Sequence, residues 1–201
     1  MPLDLNTVSE HMREFGCHII GRAVHESVFM EMGKPYAHAT SITMAAQAAE
    51  ILIKARIAQE HPLLVFETLP KSKTTSGPLD ILGLFDHGRT VMFNELPDRL
   101  WATTGYRLKE PEQFTEFGRL RNKIMHFAIP EADLSEVCLR FAFEVIDVML
   151  QDFWDDTVVP YSEAYDDVIA SEGYLAVRLD VLKIKLTDNT SAYIRGADTQ
   201  R

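Results

Sequence analysis

Apolar residues recur at helical spacing through most of this chain. Val8, Met12, Phe15, Ile19, Ile20, Ala23, Val28 and Met30 follow a period near 3.6 residues and predict a first helix from Thr7 to about Met32. Gly16 and Gly21 weaken that helix and mark a place for a kink or break, and Gly33-Lys34-Pro35 ends it. The second helix is the clearest. It runs from about Ala37 or Thr40 to Gln59, with Ile42, Ala45, Ala46, Ala49, Leu52, Ile53 and Ile57 as a continuous stripe. Its many alanines favour helix and allow close approach of a neighbour. Thr40 or Ser41 is a candidate cap, and His61-Pro62 stops the helix.

Residues 62–110 are less regular. Leu63-Leu64-Val65-Phe66 is a short apolar run of either type, 71–78 reads as a loop, Phe85 to Arg89 contains a turn, and Leu96 to Trp101 reads as a short helix. A connection of this length inside a small domain usually carries function or packs as an insertion. Pro111-Glu112-Gln113 then opens a third helix, with proline and acid at its start. Phe114, Phe117, Leu120, Ile124 and Phe127 form its apolar face, and Pro130 ends it near His126 or Phe127. A fourth helix begins around Glu131 to Asp133, with Leu134, Val137, Cys138, Phe141, Val145, Met149 and Phe153 on one stripe. Tyr161, Tyr165, Val168 and Ile169 suggest a short fifth helix. Residues 175–186 partly alternate and are the one good strand candidate, with helix as the alternative. The last dozen residues are polar and read as a frayed tail.

The predicted fold is therefore mainly α: a four-helix up-down bundle with a long insertion between helices two and three and a C-terminal extension. Residues 1–157 form the bundle, 62–110 are its insertion, and 158–201 are the extension, which can pack as part of the same domain.

Composition agrees with a globular protein. The 201 residues are 46% hydrophobic and 25% charged. The net charge of -10 argues against coating nucleic acid by bulk electrostatics, but leaves room for a small basic site on an acidic body. Cys17 and Cys138 lie among apolar neighbours and read as buried free thiols. Met1-Pro2-Leu3-Asp4-Leu5 has no basic segment followed by an apolar run, so no signal peptide is expected. No stretch approaches about 18 consecutive apolar residues, so no membrane span is expected either. A cytoplasmic protein is the resulting expectation.

One segment combines a permanent cation, an amide and a titratable ring: Arg121-Asn122-Lys123-Ile124-Met125-His126. Arginine offers a planar fork of donors to phosphate oxygens, and histidine can give or take a proton near neutrality. Gly118 to His126 holds Arg119, Arg121 and Lys123 and no acid, a local basic patch. On an unbroken helix Asn122 and His126 share a face, and Arg119 shares it too. Arg121 lies roughly 140° around from His126, at about 100° per residue. Acting on one phosphate then requires the helix to unwind near His126 or the arginine stem to wrap around. The plain alternative is that the three cations complement the negative end of the helix and His126 caps it.

With four helices and a break after the third, Arg121-Asn122-Lys123-Ile124-Met125-His126 resembles the HEPN superfamily motif. That motif is an arginine, four to six intervening residues and a histidine, often with a polar residue after the arginine. Arg121 to His126 has four between, and Asn122 is the polar follower. Arg119 to His126 has six, but Leu120 follows it. The resemblance covers about residues 5 to 155. It implies a metal-independent, cofactor-free endoribonuclease, of the kind found in toxin–antitoxin and anti-phage systems. Arg121, His126 and Asn122 would be its catalytic residues, and Arg119 and Lys123 would bind RNA. It implies a homodimer, with an antitoxin or defence-system protein as a further partner. Some toxin members carry a tyrosine two residues after the histidine that a nucleotidyltransferase modifies. Ala128 stands there, so that regulation is not implied.

The remaining candidates carry less. Glu50 precedes Lys54 by four residues and reads as a surface ion pair, or, more sharply, as an acid orienting His126. His38 reads as an exposed or capping residue. His61 with Asp86-His87 has no fixed metal spacing, and no metal site is expected. Asp155-Asp156 and Asp166-Asp167 read as solvated helix ends. Two other readings of the chain stand beside the nuclease. One is a non-catalytic module binding nucleotide, RNA or protein through the same patch. The other is a helical interaction protein using helix two as its contact surface.

Overall fold

The computed structural model describes residues 7–29, 36–71, 81–128, 133–165 and 173–199. The fold is mainly α, as the periodicity predicts. The chain divides into two units. One comprises 1–15 and 50–107, the other 16–49 and 108–201. Helices α1 (Val8–Val28) and α2 (Ala37–Glu60) contribute to both. No helix among the described residues is long and apolar enough to cross a membrane.

Helix α1 has no break at Gly16 or Gly21. Gly21 serves close packing instead. A Cβ there would lie 2.2 Å from the Tyr161 carbonyl oxygen. The helix ends at Val28 rather than near Met32, and residues 30–35 lie outside the described set. Helix α2 begins at Ala37, so Thr40 and Ser41 do not cap it. Their hydroxyls donate back to the Tyr36 and Ala37 carbonyls from inside its first turns. Every member of the expected stripe is buried: Ile42, Ala45, Ala46, Ala49, Leu52, Ile53 and Ile57.

The first unit adds a 3-10 turn over Pro62–Val65, strand β1 (Phe66–Thr68), α3 (Ile81–His87), β2 (Arg89–Thr90) and α4 (Leu96–Thr104). The ambiguous run at 63–66 thus enters a two-stranded antiparallel sheet, Phe66 opposite Thr90. Val65, Phe66, Leu84, Val91, Leu96 and Leu100 form its core with the second half of α2. The loop expected at 71–78 lies, from residue 72 onward, outside the described set.

The second unit is built on α5 (Pro111–Phe127) and a long helical run. That run comprises α6 (Leu134–Arg140), a π-helical stretch Phe141–Ile146, and α7 (Asp147–Trp154). Asp133 caps it by accepting from the Glu136 amide at 3.0 Å. Helices α8 (Val159–Glu163), α9 (Tyr174–Val181) and α10 (Asp188–Thr199) follow. The strand expected over 175–186 is therefore helix α9 and a short connection. Leu175 and Leu179, four apart, are buried, while Val177 and Val181 are exposed. The expected frayed tail is helical to Thr199.

The C-terminal helix is anchored by a buried carboxylate. Asp147 Oδ1 accepts from the Thr157 hydroxyl and the Val158 amide, both at 2.8 Å. Its Oδ2 accepts from Thr187 at 2.6 Å and Thr190 at 2.7 Å. Four donors satisfy an acid that is fully shielded from water.

Candidate functional site

Helix α5 carries the motif, and its sequence explains its limits. Pro111 occupies the first turn, where its missing N–H costs nothing. Phe114, Phe117, Leu120 and Ile124 repeat at three and four residues and are buried. Phe117 stacks on Phe141, the first residue of the π-helical stretch, with centroids 3.7 Å apart and planes 4° apart. This contact fixes which face of α5 is turned inward. At the other end Ala128 adopts the left-handed conformation, φ 48°, and its N–H closes on the Ile124 carbonyl at 2.9 Å.

The outward arc holds the motif. Arg119, Asn122, Lys123 and His126 are exposed, and Arg121 is half-buried. Helix α5 stays wound through Phe127, so the unwinding that would bring Arg121 and His126 together does not occur. Their positions remain about 140° apart around the axis. The other route is partly taken. The Arg121 guanidinium turns to its neighbour, and Nη1 donates to Asn122 Oδ1 at 3.0 Å. Asn122 shares the His126 row, so the cation is drawn toward that row without reaching across it. His126 is not sealed among apolar neighbours. The ring of exposed Phe127 lies 6.3 Å away.

Electrostatics matter at this end of the helix. A helix C-terminus carries partial negative charge and does not hold an anion by its backbone. A phosphate here depends on side-chain cations, and Arg119, Arg121 and Lys123 lie within the last three turns.

A groove of about 370 Å³ flanks the same helix. Phe117, Leu120 and Phe141 form its buried floor and Val137 one half-buried wall. Gln113, Glu116, Arg119 and Lys123 edge it along α5. Arg140 faces it from α6 but is held elsewhere. It donates to Glu136 at 2.8 Å, Glu144 at 3.2 Å and the Leu182 carbonyl at 2.6 Å. The hydrogen bond to Glu136 leads in keeping its charge, with Glu144 adding to it. Sequence periodicity did not single out this groove, because its walls come from segments some 20 residues apart. The only sequence trace is that Gln113 and Glu116 share the flank of Arg119 and Lys123 at helical spacing.

The other candidates have the following surroundings. Glu50 belongs to the first unit, where it pairs with Lys54 at 2.6 Å. That pair is not on the surface: Lys54 is 6% exposed and also donates to Thr90 at 3.1 Å. His38 lies half-buried within α2 rather than before it. His61 Nδ1 accepts from the Leu63 amide at 3.2 Å and caps the 3-10 turn. Asp86 and His87 are exposed at the end of α3, and no cluster of metal-binding residues occurs among the described residues. Asp155 and Asp156 are more than solvated ends. Asp155 accepts from Asn189 at 2.9 Å, and Asp156 accepts from the Tyr161 hydroxyl at 2.7 Å. Asp166 and Asp167 lie outside the described residues. Cys17 and Cys138 are buried free thiols.

No protein-family model, curated protein or solved structure matches this chain.

Proposed function

We propose that the chain is a metal-independent endoribonuclease of HEPN type that works as a homodimer in toxin–antitoxin or anti-phage defence. The observation that carries this reading is the exposed His126 on the same helical row as Asn122, which itself holds the Arg121 guanidinium. Amide and guanidinium are thus joined by a hydrogen bond, beside an exposed imidazole on the same helix.

The chemistry is a transesterification. The RNA 2'-oxygen attacks the adjacent phosphorus, a base takes its proton, and the bond to the 5'-oxygen breaks as that oxygen gains a proton. The products are a 2',3'-cyclic phosphate and a 5'-hydroxyl. His126 transfers protons, and Arg121 stabilises charge gathering on the phosphoryl oxygens. Asn122 positions Arg121, and Arg119 and Lys123 hold neighbouring phosphates. One imidazole serves poorly as acid and base in the same step, so a second copy of the chain supplies the other. The second copy also answers the divergence of Arg121 and His126 on a single helix.

The test is cleavage of single-stranded RNA in the presence of EDTA with analysis of the product ends. Cyclic phosphate and 5'-hydroxyl ends, with activity absent in His126→Ala and Arg121→Ala, are expected. Cleavage that EDTA abolishes contradicts the reading.

One observation favours a second reading, a non-catalytic RNA- or nucleotide-binding module. Helix α5 remains intact through His126, which suits gripping phosphate more than converging on one. In that case wild-type protein binds RNA without cutting it, Arg121→Ala weakens binding, and His126→Ala leaves binding unchanged.

A further inference from the structure

Helix α5 changes character after Ile124. Up to that point its turns are anchored. Phe114, Phe117, Leu120 and Ile124 bury a side chain every three or four residues. The next four residues, Met125, His126, Phe127 and Ala128, are all exposed. Met125 is 58% exposed and Phe127 73%, so the last turn brings no side chain into the core. Backbone hydrogen bonds hold it, ending with the Ala128 amide on the Ile124 carbonyl at 2.9 Å. Such bonds, open to water, add little stability by themselves.

The residue that closes the turn is also strained. Ala128 has φ 48°, in the left-handed region that glycine enters freely and a Cβ disfavours. Asp133, Asp155 and Lys183 share that conformation, with φ of 51–53°, but each stands beside a buried anchor. Leu134 follows Asp133, and Val158 lies shortly after Asp155. Ile184 follows Lys183, and its amide donates to the Leu179 carbonyl at 3.0 Å. No side chain among residues 125–128 does the same for Ala128.

This boundary divides the motif. Arg119, Arg121 and Lys123 belong to the anchored helix, and His126 belongs to the unanchored turn. We propose that residues 125–128 are a latch, wound in the free chain, that opens when RNA binds and releases His126 while the cations stay in place. This rests on the nuclease reading of the same helix and adds its regulation. On the wound helix Arg121 and His126 lie about 140° apart. Opening removes that constraint, so the imidazole can follow a phosphate that the cations hold. The strain at Ala128 offsets part of the cost of opening, and the lack of packing keeps the rest small. Closed, the latch keeps imidazole and guanidinium apart until substrate arrives.

The test uses the full chain and two readouts. Hydrogen exchange at pH 7.5, followed by mass spectrometry, reports on the turn itself. Amides 125–128 are expected to exchange at least about a hundredfold faster than amides 120–124. Ala128→Gly relieves the strain and should slow exchange at 125–128 about threefold to fivefold. A 2'-O-methyl RNA dodecamer, which lacks the attacking hydroxyl, should speed it at least about threefold. Single-turnover cleavage of unmodified RNA reports on the role of the turn. Ala128→Gly should cut about threefold more slowly than wild type. Phe127→Pro removes one amide from the turn and disfavours helix at His126, and should cut at least as fast. Equal protection of 125–128 and 120–124, or exchange that bound RNA leaves unchanged or slows, overturns the latch. So does faster cleavage by Ala128→Gly, or loss of cleavage in folded Phe127→Pro. If the wild type still cuts RNA in those cases, the nuclease reading stands without the latch. A wild type that binds RNA and never cuts it overturns the nuclease reading, and exchange with the bound dodecamer then decides the latch by itself.

Discussion

Asn122 Oδ1 accepts a hydrogen bond from Arg121 Nη1 at 3.0 Å, so an exposed amide helps hold the motif's guanidinium. Both residues lie on the surface arc of a rigid helix, and no core contact depends on the amide. Asn122→Ala should leave helix content and melting temperature unchanged. Releasing the guanidinium should slow single-turnover RNA cleavage by about tenfold to a hundredfold, the usual cost of misplacing a catalytic group. An unchanged rate would show that Arg121 acts without this bond.

Asp147 holds α7 to the start of α10 through three threonine hydroxyls and the Val158 amide. Asp147→Ala leaves those donors buried without their acceptor. The expected loss is roughly 3 kcal/mol in chemical denaturation, with Thr187→Val costing less because three donors remain. A loss below about 1 kcal/mol would mean that water replaces the carboxylate.

Gly21 has no room for a side chain. A Cβ would lie 2.2 Å from the Tyr161 carbonyl oxygen and 2.8 Å from its Cβ. Although alanine favours helix, Gly21→Ala should destabilise by about 2 kcal/mol because α1 and the 161 segment must separate. A stabilised variant would contradict the close approach.

Burial pushes the Cys138 thiol up from its ordinary 9.0 to about 12, with a Ser27 hydrogen bond opposing it slightly. Burial and then the Glu163 hydrogen bond push the Tyr193 hydroxyl from 10.0 to about 12. Both groups hold their protons more tightly folded than unfolded. Their contribution to stability is full below about pH 9 and is lost as pH rises toward 12. Denaturation midpoints should fall from pH 9 to pH 11. Cys138 should resist alkylation at pH 8 until the protein unfolds. Rapid modification of folded protein would contradict its burial.

The long helices were legible because their core stripes are uninterrupted. Ile42 to Ile57 and Leu134 to Met149 mark buried faces with little competition, and Pro111 opens α5 while Pro130 follows its last residue by three. The 175–186 segment misled because Val177 and Val181 are exposed apolar residues, which turn a helical stripe into apparent alternation. Asp147 was hidden because its partners lie ten to 43 residues away. The motif itself was readable as a string. What the string did not reveal is that the Arg121 guanidinium turns to Asn122, since that depends on side-chain conformation and not on spacing.

The most direct measurement is the single-turnover rate of RNA cleavage in EDTA for wild type and His126→Ala, with equal melting temperatures confirmed first. Cleavage by the wild type is expected, with a rate at least about a hundredfold lower in the variant. Equal rates, or no cleavage by a folded and dimeric wild type, would contradict it.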